Sequence, residues 1–215
     1  MYLPEHFHET RGDRLHALMR AYPLGVIVTH GVDGLDAHHV PLERVGGTHL
    51  HGHVARGNPL AKLDGAQVLV VFRGADAYIS PNWYPSKQAT HREVPTWNYA
   101  VAHVHGRLRV VEDHAWLRDL VERLTDRHEA DQPQPWRISD APEEHIQTLL
   151  RAIVGIDIAI ERIQGKFKLS QNHPVSNRVG VMQGLRERAG GRDAELAEVM
   201  QQTAFPNPES QIPAR

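Results

Sequence analysis

The sequence TWNYAVAHVHGRLRVV, residues Thr96–Val111, decides the fold of this chain. Apolar residues recur at alternate positions over most of its length, which is the period of a half-buried β-strand. A second long stretch, Gly155–Leu169, shows the same alternation. Gly106 lies inside the first stretch and predicts a bulge or bend, since glycine weakens a strand interior. We therefore expect two long strands in this chain.

Shorter elements surround these two strands in the sequence. Apolar and β-branched runs bounded by turn residues predict strands over 24–29, 35–42, 48–54, 67–72 and 76–80, and a long aromatic loop over 81–95. Helical patterns occupy 13–22, 116–128, 139–152, 176–188 and 193–203, and residues 205–215 are expected to fray. Strands and helices do not alternate as βαβ units. The pattern predicts an α+β protein, an antiparallel barrel with peripheral and C-terminal helices.

The composition excludes several classes of function. The chain of 215 residues contains no cysteine, which excludes disulfides, thiolate metal sites and a cysteine nucleophile. It shows no leader-like apolar segment and no apolar run near the ~18 residues of a membrane helix. We therefore expect a cytoplasmic protein with no membrane partner. Its 24 basic and 26 acidic residues give a net charge of -2, so we expect no tight, direct contact with DNA.

Histidine is the unusual residue, with 16 copies. His49, His51 and His53 share one face of a strand, because side chains in a strand repeat every two residues. Two histidines at this spacing hold a metal in cupin-type barrels, which also need a glutamate a few residues later. Residues 54–60 contain no glutamate. The pattern thus favours a polar strand face or a ligand-facing wall, and we assign no metal ligand.

Two clusters of hydrogen-bond donors follow strands. After His53, the residues Arg56, Gly57 and Asn58 combine a permanent cation, an amide and a glycine backbone, a set that suits a phosphate or simply a surface turn. Near the end of the last long strand, Lys168, Ser170 and Asn172 would share one face if extended, as a ligand site or a solvated strand end. Trp97 and Asn98 are either core residues or a stacking wall with a donor.

Five strings taken in order resemble one known family, the FMN-binding negative transcriptional regulators. The strings are MYLPEHF (1–7), HGHVARGNP (51–59), AYISPNWY (77–84), VPTWNY (94–99) and GKFKLSQN (165–172). The resemblance covers roughly residues 1 to 185. It implies a division into a split-barrel domain over 1–185 and a helical, partly frayed tail over 186–215.

The family is similar to the pyridoxamine-phosphate-oxidase-like split barrels, which are homodimers with FMN in clefts between subunits. The resemblance therefore implies an FMN-binding split β-barrel that forms a homodimer. It places the FMN phosphate near His53, Arg56 and Asn58, although the Ser-Arg-Lys cluster of the oxidases is absent. Lys168, Gln171 and Asn172 are implied for the flavin ring or for the partner subunit's site, with Trp97 and Asn98 as wall and donor.

Three functions remain open at this stage. The first is an FMN-binding protein with a role in negative transcriptional regulation or redox sensing. The second is an FMN-dependent oxidoreductase, so whether the protein is an enzyme is left undecided. The third is a haem- or metal-binding barrel that uses its histidines.

Overall fold

The structure is a computed structural model that describes residues 1–32 and 34–204. Its strands are β1 (His8–Glu9), β2 (Leu24–Gly31), β3 (Gly34–Pro41), β4 (Glu43–Val45), β5 (His49–Ala55), β6 (Gln67–Ile79), β7 (Thr96–Val111) and β8 (Ile153–Lys168). Its helices are α1 (Gly12–Ala21), α2 (Ser86–Thr90), α3 (His114–Glu129), α4 (Glu143–Arg151), α5 (Val175–Arg188) and α6 (Asp193–Ala204). Residue 33 and the segment 205–215, which was predicted to fray, lie outside the described residues.

The strands form one open, mainly antiparallel sheet. Their order is β3-β2-β6-β7-β8-β5-β4, and β1 pairs with β8. The register is antiparallel in β2–β3, β2–β6, β4–β5, β5–β8 and β1–β8. The predicted α+β class with an antiparallel sheet and added helices is confirmed. One detail differs: residues 67–79 form the single strand β6, where the sequence predicted two separate strands.

The chain divides into two compact units, each assembled from separate segments. Unit 1 consists of residues 1–18, 73–102 and 164–215, and unit 2 consists of residues 19–72 and 103–163. The strands β6, β7 and β8 each contribute residues to both units. The predicted division at residue 186 lies within α5, and the assignment of domains stays a prediction.

Alternating burial positions the polar residues of unit 2. In β5, Leu50 and Val54 are buried, while the intervening histidines lie on the opposite face. The register with β8 places His51 opposite Asp157 and His49 opposite Ala159. This follows from the period of two in a strand, which turns every second side chain to the same face.

Gly106 is explained by close packing within unit 2. A Cβ atom at Gly106 would lie 2.4 Å from the carbonyl oxygen of Ala159, so no side chain fits there. The strand β7 continues through this position without interruption. The glycine predicted to mark a bulge or bend therefore marks the close approach of β8.

The helices of unit 2 cover part of its sheet. The side chain of Asp113 accepts a hydrogen bond from the Trp116 N–H at 2.9 Å and caps α3. The indole of Trp116 packs where Gly155 leaves room, since a Cβ there would lie 2.3 Å from the ring. Leu117, Ile146 and Leu150 form a small apolar core between α3 and α4. Within the described ranges, no helix is both long enough and apolar enough to span a bilayer.

Candidate functional site

Unit 1 contains a polar cavity of about 350 Å³, which we call the Lys168 cavity. It lies where β7 begins and β8 ends, so both strand termini supply side chains. The lining residues are Tyr84, Arg92, Glu93, Val94, Pro95, Thr96, Asn98, Lys168, Ser170, Asn172 and His173. The volume is within the range of small-molecule pockets, roughly 300–1,000 Å³.

Lys168 brings a cation into this cavity, which also contains the carboxylate of Glu93. Its ammonium group donates hydrogen bonds to the Thr96 hydroxyl and, at 2.7 Å, to the carbonyl oxygen of Trp97. Among the residues that the structure describes, no carboxylate lies within ion-pairing distance of this group. Burial lowers the pKa of Lys168, and the charge of Lys166 lowers it further. The cation is thus held by neutral groups, which leaves room for an acceptor from a ligand.

Asn98 lines the same cavity as Lys168. The residue is 1 % exposed, and its amide nitrogen donates to the Ser170 hydroxyl oxygen at 2.9 Å. Its amide oxygen is buried and has no hydrogen-bond partner within the described part of the chain. A buried acceptor without a partner costs free energy, on the order of 1–3 kcal/mol. Because this oxygen has almost no accessible surface, a ligand N–H would reach it only after the Asn98 side chain shifts toward the cavity.

The turn after β8 is held in an unusual backbone conformation. Ser170 has φ 63°, in the left-handed region that non-glycine residues rarely adopt. Gln171 closes the same turn, since its side chain accepts from the Leu169 N–H at 2.6 Å and donates to the carbonyl oxygen of Phe167. The chain is therefore not extended beyond Lys168, but Lys168, Ser170 and Asn172 line one cavity nonetheless.

The aromatic part of the cavity comes from Tyr84 and His173. Their rings stack with centroids 4.8 Å apart and planes at 16°. Burial raises the pKa of Tyr84, so the phenol stays neutral at physiological pH. Glu93 also lines the cavity, and its carboxylate accepts from the Ser86 hydroxyl and the Asn177 amide. The wall therefore combines the mutually stacked rings of buried Tyr84 and His173 with several polar groups.

Trp97 is the second residue of β7 and precedes Asn98. Its indole is 54 % exposed and meets Tyr78 edge to face, with ring centroids 6.3 Å apart. Only its backbone carbonyl contacts Lys168. The indole is not among the side chains that line the cavity, and its role toward a flavin stays a prediction.

The other predicted donors belong to unit 2, where each already has a local role. The Arg56 guanidinium donates to the carbonyl oxygens of Arg151 and Ile153, at 3.2 and 3.3 Å, and pairs with Glu112 at 3.2 Å. The Asn58 side chain accepts from the Leu60 N–H at 2.9 Å and caps a short 3₁₀ helix. Burial lowers the pKa of His53, which favours a neutral imidazole. The phosphate role of these residues stays a prediction.

A second polar cluster in unit 2 centres on Asp157, which is 3 % exposed. Its carboxylate contacts His49 Nδ1 at 2.7 Å, His51 Nε2 at 3.4 Å and Arg109 Nη2 at 2.8 Å. Burial acts to raise the pKa of Asp157, but the hydrogen bonds from Arg109 and His49 outweigh it and the pKa is lowered. Asp157 is therefore ionised across the physiological range.

Sequence reasoning located some of these residues and missed others. The structure brings Asn98, Lys168 and Asn172 together, whereas Gln171 only shapes the adjoining turn. Tyr84 and His173 were missed as a pair, because no local pattern signals a contact across 89 positions. Asp157 and Arg109 were missed for the same reason, since strand pairing alone places them beside the histidines.

Comparison with known proteins identifies a matching family and several relatives. Residues 1–162 match the family described as "Putative FMN-binding domain". The protease synthase and sporulation protein PAI 2 of Bacillus subtilis is 30% identical, over 94% of this chain and 97% of its own length. An uncharacterized protein of Emericella nidulans is 33% identical, over 86% of this chain and 90% of its own length.

Solved structures share the fold. An FAD and heme binding protein from Mycobacterium smegmatis has a TM-score of 0.60 at 20% identity, covering 86% of this chain and 80% of that one. The flavocytochrome Anf3 from Azotobacter vinelandii has a TM-score of 0.58 at 13% identity, covering 75% and 69%. At these identities the likeness concerns the fold alone, and it confirms the predicted split barrel.

Proposed function

Because this chain belongs to the family described as "Putative FMN-binding domain", we propose that it is a flavoprotein that binds FMN and acts in regulation or redox sensing. The observation that carries the proposal is that one cavity is lined by Lys168, with its ammonium group, and by Asn98, with its amide oxygen. One is a cation held only by neutral groups, and the other is a buried acceptor without a partner among the described residues.

This pair matches the edge of a flavin. The pyrimidine side of an isoalloxazine presents carbonyl oxygens and one imide N–H. Lys168 would donate to a carbonyl oxygen, Asn98 would accept from the N–H, and the stacked Tyr84 and His173 would give an apolar surface near the ring. Bound flavin supplies one- and two-electron redox chemistry, and a cation near its pyrimidine edge favours the reduced, anionic form.

From the family resemblance we propose separately that the turn that contains Arg56, in unit 2, is a candidate phosphate-binding turn. Two nitrogens of Arg56 serve backbone carbonyls, but the third contacts Glu112, whose side chain is 70% exposed. An exposed ion pair contributes little, so a phosphate can replace Glu112 while the other two bonds remain. His53 and Asn58 stand in the same stretch of chain as further candidates. Support for this assignment comes from the residues and the family resemblance.

Visible absorption of the purified protein is the first test. FMN gives flavin bands, whereas the haem alternative gives a Soret band, so one spectrum separates the two. Titrations with FMN, FAD and riboflavin then measure preference among flavins. We expect FMN to bind most tightly, and equal affinity for riboflavin would contradict a phosphate site. Rapid reduction by NAD(P)H with turnover of an acceptor would favour the oxidoreductase alternative over a sensor.

The decisive variant is Lys168→Met, which removes the cation and keeps the length of the side chain. We expect flavin affinity to fall by roughly tenfold to a hundredfold, the usual worth of a hydrogen bond to a charged group. Lys62→Ala is the matched control, because Lys62 is exposed at the end of a short helix. Unchanged affinity in Lys168→Met would remove the Lys168 cavity from the proposal.

We propose that any regulatory effect does not depend on tight binding of this chain to DNA. The charges of α3 are largely paired: Arg118 with Glu143, and Arg123 with Glu43 and Asp119. No clean cationic face is therefore available on this helix for phosphates. Fluorescence anisotropy with promoter DNA and a scrambled competitor, at near-physiological salt, tests this. Nanomolar binding that survives the competitor would make direct repression the better interpretation.

We also propose that the protein assembles as a homodimer. Support comes from the family resemblance and from the two long strands β7 and β8, which exceed the usual strand length of about 5–6 residues. Two-fold pairing is the commonest oligomer. Light scattering at micromolar concentration is expected to give twice the chain mass of 24.2 kDa. A monomer mass with FMN bound would exclude a flavin site shared between subunits.

A further inference from the structure

We propose that His49, His51 and Asp157 form a binding site for a divalent transition-metal ion. All three residues lie in unit 2, on β5 and β8. The register pairs His51 directly with Asp157, and His49 is two residues away on the same face of β5. Two imidazoles and a carboxylate are thereby presented by adjacent, paired strands. This proposal is independent of flavin binding.

The ligand atoms already converge. His49 Nδ1 lies 2.7 Å and His51 Nε2 lies 3.4 Å from the same oxygen of Asp157, and all three ligand atoms lie within 4.8 Å of one another. Tetrahedral ligands bonded at roughly 2.0–2.1 Å stand about 3.3 Å apart. His51 and Asp157 already meet that spacing. The His49 side chain is 41% exposed, which allows its ring to rotate into place.

The surroundings suit a metal with an open coordination position. The second carboxylate oxygen of Asp157 accepts two hydrogen bonds from Arg109, at 2.8 and 3.1 Å. This fixes the carboxylate so that its first oxygen points toward the histidines, as an outer-shell partner does in many metal sites. A cavity of about 360 Å³ is lined by His49, Arg109 and Asp157. His51 is not among the lining residues, so water or a small ligand would reach the ion from the side of His49 and Asp157.

The donor set indicates the class of ion. Neutral imidazoles with one carboxylate suit zinc, iron, nickel and copper, and they suit magnesium or calcium poorly because those ions prefer oxygen ligands. Three protein ligands and an open position are the pattern of catalytic rather than structural zinc sites. The charge of Arg109 offsets that of Asp157, so we expect moderate affinity rather than the tight binding of a structural site.

The test uses the full chain without an affinity tag, treated with chelator and then titrated with Co²⁺ as a spectroscopic probe. We expect one equivalent to bind with the visible bands of a four- or five-coordinate ion. His49→Gln should weaken this binding by at least ~10-fold. His39→Gln is the matched control, because His39 is exposed on β3 and belongs to no cluster of potential ligands that was found in the described residues. Its Co²⁺ spectrum and affinity should equal those of the parent.

Three results would overturn the proposal. In the first, the parent protein shows no phase in which one equivalent of Co²⁺ binds. In the second, His49→Gln binds Co²⁺ as the parent does. In the third, His39→Gln loses as much affinity as His49→Gln, which would mean that Co²⁺ binds to scattered surface histidines. Melting curves check that each variant folds. If His49→Gln fails to fold, X-ray absorption of the Zn²⁺-loaded parent decides, since two imidazoles are expected in the coordination shell and fewer would count against the site. Flavin content is followed in parallel and is expected to stay unchanged.

Discussion

Arg56 and Lys168 are cations near the ends of strands, and the sequence singled out both as phosphate or flavin donors. In the structure they differ in what their donors contact. The Arg56 guanidinium serves two carbonyl oxygens of its own unit and one exposed carboxylate. The Lys168 ammonium contacts only neutral oxygens in a cavity that also contains a buried acceptor. The two cations therefore differ in their charge partner: Arg56 has a carboxylate within the described residues, and Lys168 has only neutral acceptors.

The largest effect that we expect separates these two cations. Lys168→Met should lower flavin affinity by about 1.5–3 kcal/mol, because the lost hydrogen bond involves a charged donor. Arg56→Ala should lower riboflavin affinity by much less, since riboflavin has no phosphate. Fluorescence titration of both variants with riboflavin measures the contrast. Equal losses would mean that the two cations act on the same part of the ligand.

Arg56→Ala tests whether Arg56 contacts the phosphate group of FMN. We expect the ratio of FMN to riboflavin affinity to fall by about tenfold, equivalent to 1.4 kcal/mol, because only FMN carries the phosphate. The free energy of unfolding should also fall by about 1 kcal/mol, since two backbone carbonyls lose their donor. Urea unfolding provides the second measurement. If the free energy of unfolding falls and the ratio of FMN to riboflavin affinity does not change, Arg56 only stabilises the backbone that it contacts.

Asn98→Leu tests the role of Asn98 in the Lys168 cavity. The variant keeps the volume but loses the hydrogen bond to Ser170 and the unpaired amide oxygen, so we expect weaker flavin binding. The free energy of unfolding should change little, because losing that hydrogen bond and removing an unpaired buried acceptor have opposite signs. Asp113→Ala, which removes the cap of α3, should cost ~1 kcal/mol and leave flavin affinity unchanged. If both variants bound flavin equally well, Asn98 would be structural only.

The smallest expected effect is a pH dependence. Burial and Lys166 place the pKa of Lys168 below its ordinary value of 10.5. Lys168 is charged below that lowered pKa, so flavin affinity should be highest there and fall as the pH rises through it toward 10.5. Flavin affinity is measured from neutral to alkaline pH for the parent protein and for Lys168→Met. The difference between the two curves removes the contribution of the flavin's own titration. Parallel curves for the two proteins would exclude Lys168 as the titrating group.

The sequence predicted the fold class well because strand periodicity is a local signal. Strands β5 and β7 were recognisable from alternation, and the burial of Leu50 and Val54 follows that alternation. The predicted separation of strands 67–72 and 76–80 was wrong, because β6 runs from Gln67 to Ile79 as one strand. Strand pairing and burial, which depend on tertiary context, decide such a continuation.

The candidate site was only partly predictable. The residues near the end of β8 were identified, since Lys168 and Asn172 stand in one conspicuous string. Tyr84 was quoted only within a family string, and its stacking on His173 depends on a long-range contact. The sequence shows no glutamate shortly after His49 and His51. In the structure a carboxylate, that of Asp157, lies next to them on the neighbouring strand, and only the register of β5 with β8 reveals it.

The left-handed backbone of Ser170 has a consequence for the choice of residue at this position. Glycine would relax the backbone, where a residue with a side chain is less stable by roughly 1 kcal/mol. Serine supplies the hydroxyl that receives the Asn98 amide, a hydrogen bond worth a similar ~1 kcal/mol. The two effects on the free energy of unfolding nearly cancel, so serine holds the Asn98 side chain in place at little cost in stability.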